Sequence, residues 1–117
     1  MKALLFLVLA SCSVRYTSQL EAQSSPPLTA SVEGDPIVVV EGTAINTRIG
    51  IRENGNFIEI KEDDVTVTIK DPTLARILPG PKPLELAILG MASGETTLQV
   101  RYRGDVVEEK TLQISAQ

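Results

Sequence analysis

The chain has 117 residues, a net charge of −4, one cysteine, no tryptophan and no histidine. Without histidine it lacks the commonest general base at neutral pH and the usual ligands of zinc and copper, and a single cysteine cannot form an internal disulfide. The acidic balance disfavours nucleic acid as a partner, because nucleic-acid-binding surfaces are basic. We therefore predict no catalytic residue and no cofactor.

The N-terminal segment has the features of an export signal. Lys2 supplies a positive charge, and residues 3–10 form an apolar stretch that is too short to span a bilayer. The end of this stretch resembles the bacterial lipobox, in which a cysteine is acylated and the residues before it are removed; the matching residues are Leu9, Ala10, Ser11 and Cys12. The resemblance implies a lipoprotein signal peptide over residues 1–11 and attachment to a membrane through an acylated Cys12.

A plain secretory signal, cleaved after Cys12 or slightly later, is the alternative, because signal peptidase I also accepts small residues. Both interpretations export the folded part of the chain. Ser13 follows the cysteine in place of the aspartate that tends to retain enterobacterial lipoproteins in the inner membrane. The resemblance therefore implies an outer-membrane lipoprotein of the cell envelope, facing either the cell surface or the periplasm.

Residues 12–27 are predicted to form a flexible linker behind the anchor. They are mostly polar, show no sustained periodicity and end in Ser-Ser-Pro-Pro. Such a segment would reach roughly 20 Å and would leave the orientation of the following domain free. A first strand around residues 14–16 is the disfavoured alternative.

Residues 28–117 are predicted to form one all-β domain, an antiparallel sandwich of about seven short strands. The clearest alternation places one set of side chains inward, Ile45, Thr47, Ile49 and Ile51, and the other outward, Asn46, Arg48, Gly50 and Arg52. Asn54-Gly55 then predicts a tight hairpin turn. Similar alternations begin at Val65, Leu98 and Leu112, and the prolines of residues 79–83 predict a loop or a strand end.

Three segments of this domain resemble group 2 of the bacterial Ig-like domains. Residues 65–77 contain a strand, the Asp71-Pro72 turn and an apolar strand that includes Ala75. Residues 86–100 contain a strand, a turn at Gly94 and a threonine-rich strand, and residues 38–44 are similar to the opening strand of the family. The resemblance covers about residues 37–114 and implies an immunoglobulin-like fold.

Two clusters of charged residues are the candidates for a binding site. Four carboxylates near β turns are weak calcium candidates, although solvated turn residues are the commoner interpretation: Glu62, Asp63, Asp64 and Asp71. Four arginines at outward positions would form a surface basic patch if their strands are neighbours, and isolated solvated charges if they are not: Arg48, Arg52, Arg101 and Arg103.

Three functions remain compatible with these observations. The leading hypothesis is a non-enzymatic, lipid-anchored Ig-like module that acts in adhesion or as a structural or interaction module, with a protein or cell-surface partner. The alternative is a periplasm-facing accessory subunit of a secretion or pilus complex, and a calcium-dependent glycan binder is the weaker third. Exposure on the cell exterior would favour adhesion, and a melting temperature that rises with calcium or a glycan would favour the third.

Overall fold

The structure, a computed structural model, describes residues 14–23 and 30–117. Within these ranges the chain forms nine strands and one short 3₁₀ helix at Glu62–Asp64. In chain order the strands are β1 Tyr16–Ala22, β2 Ile37–Val40, β3 Ala44–Glu53, β4 Asn56–Phe57, β5 Val65–Ile69, β6 Ala75–Pro79, β7 Glu85–Gly90, β8 Gly94–Tyr102 and β9 Asp105–Ser115.

The strands form two sheets that pack face to face. The first sheet has the order β1-β3-β7-β6, with β4 added to β3, and the second has the order β2-β9-β8-β5. This is the strand order of an immunoglobulin-like sandwich whose first strand is divided between the two sheets. The predicted all-β, Ig-like sandwich is thus confirmed, with nine strands in the described part instead of about seven. One strand pair, β2 with β9, is parallel and not antiparallel.

The predicted linker over residues 12–27 is wrong for residues 16–22. These residues are β1, an edge strand that pairs with β3 along its whole length, from Tyr16 opposite Glu53 to Ala22 opposite Thr47. The side chain of Leu20 is fully buried in the core. The sandwich therefore begins before residue 28, and the predicted domain boundary of 28–117 is too late by at least one strand.

β3 follows the predicted alternation. Ile45, Thr47, Ile49 and Ile51 are buried, and the intervening side chains are partly or fully exposed. Asn54 and Gly55 both have positive φ, 49° and 89°, as a tight hairpin turn requires. The returning strand β4 is only two residues long.

The core lies between the sheets and is almost entirely aliphatic. Its fully buried large side chains come from both sheets and include Leu20, Ile37, Ile51, Ile88, Leu98 and Leu112. Ala75, predicted as a small inward residue, is fully buried. At Gly90 the sheets approach so closely that an added Cβ would lie 2.9 Å from the carbonyl oxygen of Val40, which explains why this position has no side chain.

Candidate interaction surfaces

The four arginines do not form one basic patch. Arg48 and Arg52 lie on β3 of the first sheet, whereas Arg101 lies on β8 of the second sheet and Arg103 in the turn that follows it. Because β3 and β8 belong to different sheets, their outward side chains leave the sandwich on opposite faces. The condition for a shared basic patch is therefore not met, and the alternative of separate surface charges applies.

Each arginine instead has a local partner. Arg48 forms an ion pair with Glu85 at 3.4 Å, and Arg103 forms one with Asp64 at 3.5 Å. The Arg101 guanidinium donates to the side-chain oxygen of Gln99 and to the carbonyl of Gly104. Each of these surface contacts involves a single arginine, and contacts of this kind contribute little to the stability of the fold.

Arg52 is engaged differently, because its guanidinium lies 4.3 Å from the centre of the Phe57 ring. The same ring covers Gly50, where an added Cβ would lie 3.0 Å from it. An aromatic side chain that covers a glycine on the neighbouring strand helps to fix the register of the two strands. Phe57 is 60% exposed, so the cation–π pair lies on the outer surface of the first sheet.

The acidic residues lie at two separate places. Glu62, Asp63 and Asp64 form the 3₁₀ helix before β5, and Asp71 follows the other end of that strand. A strand of five residues spans about 17 Å, which is far beyond the distance between ligands of one ion. Within residues 14–23 and 30–117, no group of three or more carboxylate, cysteine or histidine side chains is close enough to hold a metal.

Asp71 caps the turn that leads into β6. Its carboxylate accepts hydrogen bonds from the Thr73 hydroxyl at 2.6 Å and from the Thr73 backbone N–H at 3.0 Å. These bonds, the hydroxyl first, hold the pKa of Asp71 below its ordinary value. This arrangement is a turn motif and explains the Asp71-Pro72 sequence without a metal.

An open groove runs along one side of the sandwich, between the edge strands β5 and β6. Its volume is about 250 Å³, and its lining is mainly apolar: Ile49, Val65, Val67, Ile77, Pro79, Leu84 and Leu86, with Glu62 and Glu85. β5 pairs only with β8 and β6 only with β7 in the described part of the chain. Each strand therefore presents one unpaired edge to this side.

The hydrogen-bonding pattern identifies the free groups of β5. The Lys70 N–H donates to the Thr97 carbonyl. In an antiparallel pair every second residue forms such bonds, so the main-chain groups of Thr66 and Thr68 also bond to β8. The Val65 N–H donates to the Glu62 carbonyl, whereas the Val65 C=O and the N–H and C=O groups of Val67 and Ile69 point away from β8. They form an unpaired edge of the kind to which a partner strand can add.

Leu84 lines the groove although its backbone conformation is unfavourable for a leucine. The Glu85 N–H donates to the Lys82 carbonyl, so residues 82–85 form a β-turn with Pro83 in its second position. Leu84 occupies the third position with φ of 65°, where a turn of this kind favours glycine. Strain of this kind costs on the order of 1–3 kcal/mol, and in return Leu84 places an apolar side chain in the groove.

A polar link between β1 and β9 has no counterpart in the sequence-based predictions. The Ser18 N–H and hydroxyl both donate to one oxygen of Glu108, at 2.9 and 2.7 Å. The ring of Tyr16 also contacts that of Tyr102, with centres 5.0 Å apart. The alternation of Tyr16, Ser18 and Leu20 was the only local signal for this strand, and two of its three members are not aliphatic.

The proposed lipidation site and its lipobox, residues 9–12, lie outside the described residues.

No helix within the described ranges is long and apolar enough to cross a membrane.

Comparison with known proteins identifies the fold and goes no further. No protein-family model matches the sequence, and no curated protein matches it. A crystal structure of domains 4 and 5 of the S-layer protein SbsC is similar, with a TM-score of 0.54 and 14% sequence identity over 84% of this chain. The chain spans about half of that structure, 51% of its length. At this identity the likeness supports the Ig-like sandwich alone.

Proposed function

We propose that the chain is a non-enzymatic, lipid-anchored Ig-like module of the bacterial cell envelope, acting in adhesion or as a structural or interaction module. Cys12 is its lipidation site, and the partner is a protein or another component of the envelope. Membership of group 2 of the bacterial Ig-like domains is part of this proposal.

One observation carries the proposal: the eight charged side chains singled out by the sequence lie apart and do not converge on one cleft. Of the eight, Glu62 alone lines the groove between β5 and β6, and the Arg52 Nε is buried without a hydrogen-bond partner in the described part of the chain. Arg48, Arg103 and Asp71 each have a neighbouring partner within the sandwich. Enzymes instead bring such groups together in a concave site. The lipobox resemblance supports export and the anchor, and the sandwich fold, which domains of an S-layer protein share, is compatible with a structural or interaction role.

The anchor is tested by metabolic labelling with radioactive palmitate. The native chain should incorporate label and fractionate with membranes, and Cys12→Ala should do neither. Ser13→Ala is the matched control and should be labelled like the parent. Export of an unlabelled, soluble native protein would reject the lipoprotein and favour the plain secretory signal.

The side of the membrane is tested by protease treatment of intact cells that express a C-terminally tagged protein. Loss of the tag, with a periplasmic marker intact, is the result expected for an adhesion or surface module. Protection of the tag until the outer membrane is broken would contradict the surface role.

The free edge of β5 favours a second candidate, an accessory subunit that binds an envelope complex by strand addition. Its unpaired main-chain groups and the adjacent apolar groove are the two parts that such a site needs. A photo-crosslinking residue at Thr66, exposed on β5, should give an adduct with a periplasmic protein. The same residue at Gln113, exposed on β9, should not, and equal adducts from both positions would reject this binding mode.

A further inference from the structure

The start of β1 and two hairpin turns lie together at one end of the sandwich. Val14 and Arg15 precede β1, and the main chain of Arg15 exchanges hydrogen bonds with Asn54 in the β3–β4 turn. The Tyr16–Tyr102 contact places the β8–β9 turn, with Arg103, beside them. We call this the proximal end and define it by Val14, Arg15, Asn54, Arg103 and Val106.

The proximal end lies very near Cys12 along the chain. Val14 is two positions after Cys12, so their Cα atoms are at most about 7 Å apart whatever the conformation between them. The Cα of Tyr16, four positions after Cys12, is at most about 14 Å away. A flexible linker of 15 residues would have allowed roughly 20 Å and any orientation. β1 removes that freedom.

β1 cannot lengthen the connection without loss of its contacts. Leu20 is fully buried, and Ser18 is bound to Glu108 through two hydrogen bonds. Release of the strand would expose Leu20 and leave Glu108 without these donors. The first residue of the sandwich therefore stays close to the acylated cysteine.

The surface of the proximal end suits lipid headgroups. Val14 and Val106 are large apolar side chains with 48% and 43% exposure. Around them lie charges of both signs: exposed Arg15 and Arg101, exposed Asp105, and the acidic 3₁₀ helix Glu62–Asp64, whose Asp64 pairs with Arg103. Mixed charges with exposed apolar side chains match a zwitterionic interface, in which arginine can extend towards phosphate while apolar groups enter the headgroup layer.

The opposite end of the sandwich is remote from this surface. β3 runs from Ala44 to Glu53 at the proximal end, and its ten residues correspond to about 33 Å. Ala44 pairs with Leu89, just before Met91 in the β7–β8 turn. Met91 is 39% exposed, which makes it a reference point for the distal end.

We propose that the proximal end contacts the headgroups of the membrane that holds Cys12, with the strands directed away from the lipid surface. This inference rests on the proposed acylation of Cys12. The domain is then a module docked on the membrane in one orientation, with Met91 and the rest of the distal end directed away from the lipid surface.

Single tryptophans test the orientation directly, because the chain has none of its own. Val106→Trp reports on the proximal end and Met91→Trp on the distal end, from positions of similar exposure. Each acylated variant is incorporated into phosphatidylcholine vesicles that carry a nitroxide on some headgroups. We expect strong loss of Val106→Trp emission and no loss of Met91→Trp emission.

Equal quenching of the two variants, or none in either, would overturn the orientation, provided that both proteins float with the vesicles and carry the acyl group by mass spectrometry. Failure to float or absence of the acyl group would overturn the lipid anchor itself, and the orientation with it.

A third variant carries ten Gly and Ser residues inserted between Ser13 and Val14. It should float normally yet lose most of the Val106→Trp quenching, and unchanged quenching would show that the short connection is not what holds the proximal end down.

Discussion

At the scale of single residues, Gly90 is buried between the two sheets and has no room for a side chain. We predict that Gly90→Ala destabilises the fold by about 1–3 kcal/mol, because the added methyl group would overlap Val40, Val39 and Ile114. Urea denaturation measures the loss. Gly34→Ala is the control, since its nearest heavy atom would be 4.0 Å away, and equal stability of the two variants would contradict the close approach.

Asp71 provides a second prediction at this scale. The Thr73 hydroxyl is the main cause of the lowered pKa of Asp71. Thr73→Ala should therefore raise this pKa towards the ordinary value of 3.8, as read from a carboxyl-carbon NMR titration. Thr68→Ala, an exposed threonine of β5, should leave it unchanged.

The lowered pKa also fixes how stability changes with pH. Because the folded-state pKa lies below 3.8, the Asp71 interaction stabilises the fold above that value and is lost as the pH falls through the folded-state pKa. Thr73→Ala should be less stable than the parent at neutral pH, and the two should converge in strong acid. A difference that persists there would point to packing and not to the carboxylate.

At the scale of elements, β1 decides where the domain begins. We predict that Leu20→Ala costs about 2–5 kcal/mol in unfolding free energy, the usual range for a fully buried leucine. Glu21→Ala, at an exposed position of the same strand, should change little. If Leu20→Ala were also neutral in urea denaturation, residues 16–22 would be a linker after all.

β3 and β1 show which elements can be predicted from sequence. β3 was predictable because its alternation is strong and its turn, Asn54-Gly55, carries its own conformational preference. β1 was not, because its alternation contains one aliphatic residue and its polar member, Ser18, is explained only by Glu108, 90 residues away. A local sequence pattern carries no information about a hydrogen-bond partner so far away along the chain.

The same reasoning explains the outcome for the arginines. Alternation correctly indicated that Arg48 and Arg101 point outward, since that depends only on neighbours along the strand. Whether two strands share a sheet depends on the pairing order, which periodicity does not encode. The groove between β5 and β6 was unpredictable for this reason as well.

At the scale of the whole molecule, the acidic groups are too dispersed to act together. We expect the melting temperature to be the same in millimolar calcium as in a chelator, because the 3₁₀ helix and Asp71 lie at opposite ends of β5. Thermal unfolding followed by circular dichroism tests this. A rise of several degrees with calcium, abolished by Asp64→Asn, would revive the calcium-dependent alternative.

The parallel pair β2–β9 has a mechanical consequence. β1 enters at one end of the sandwich and β9 leaves at the other, so a pull between the two runs along the strands. The hydrogen bonds of β1 with β3 and of β2 with β9 lie across that direction. They are therefore loaded together in shear and are not opened one at a time, so the sandwich resists stretching between the start of β1 and the end of β9.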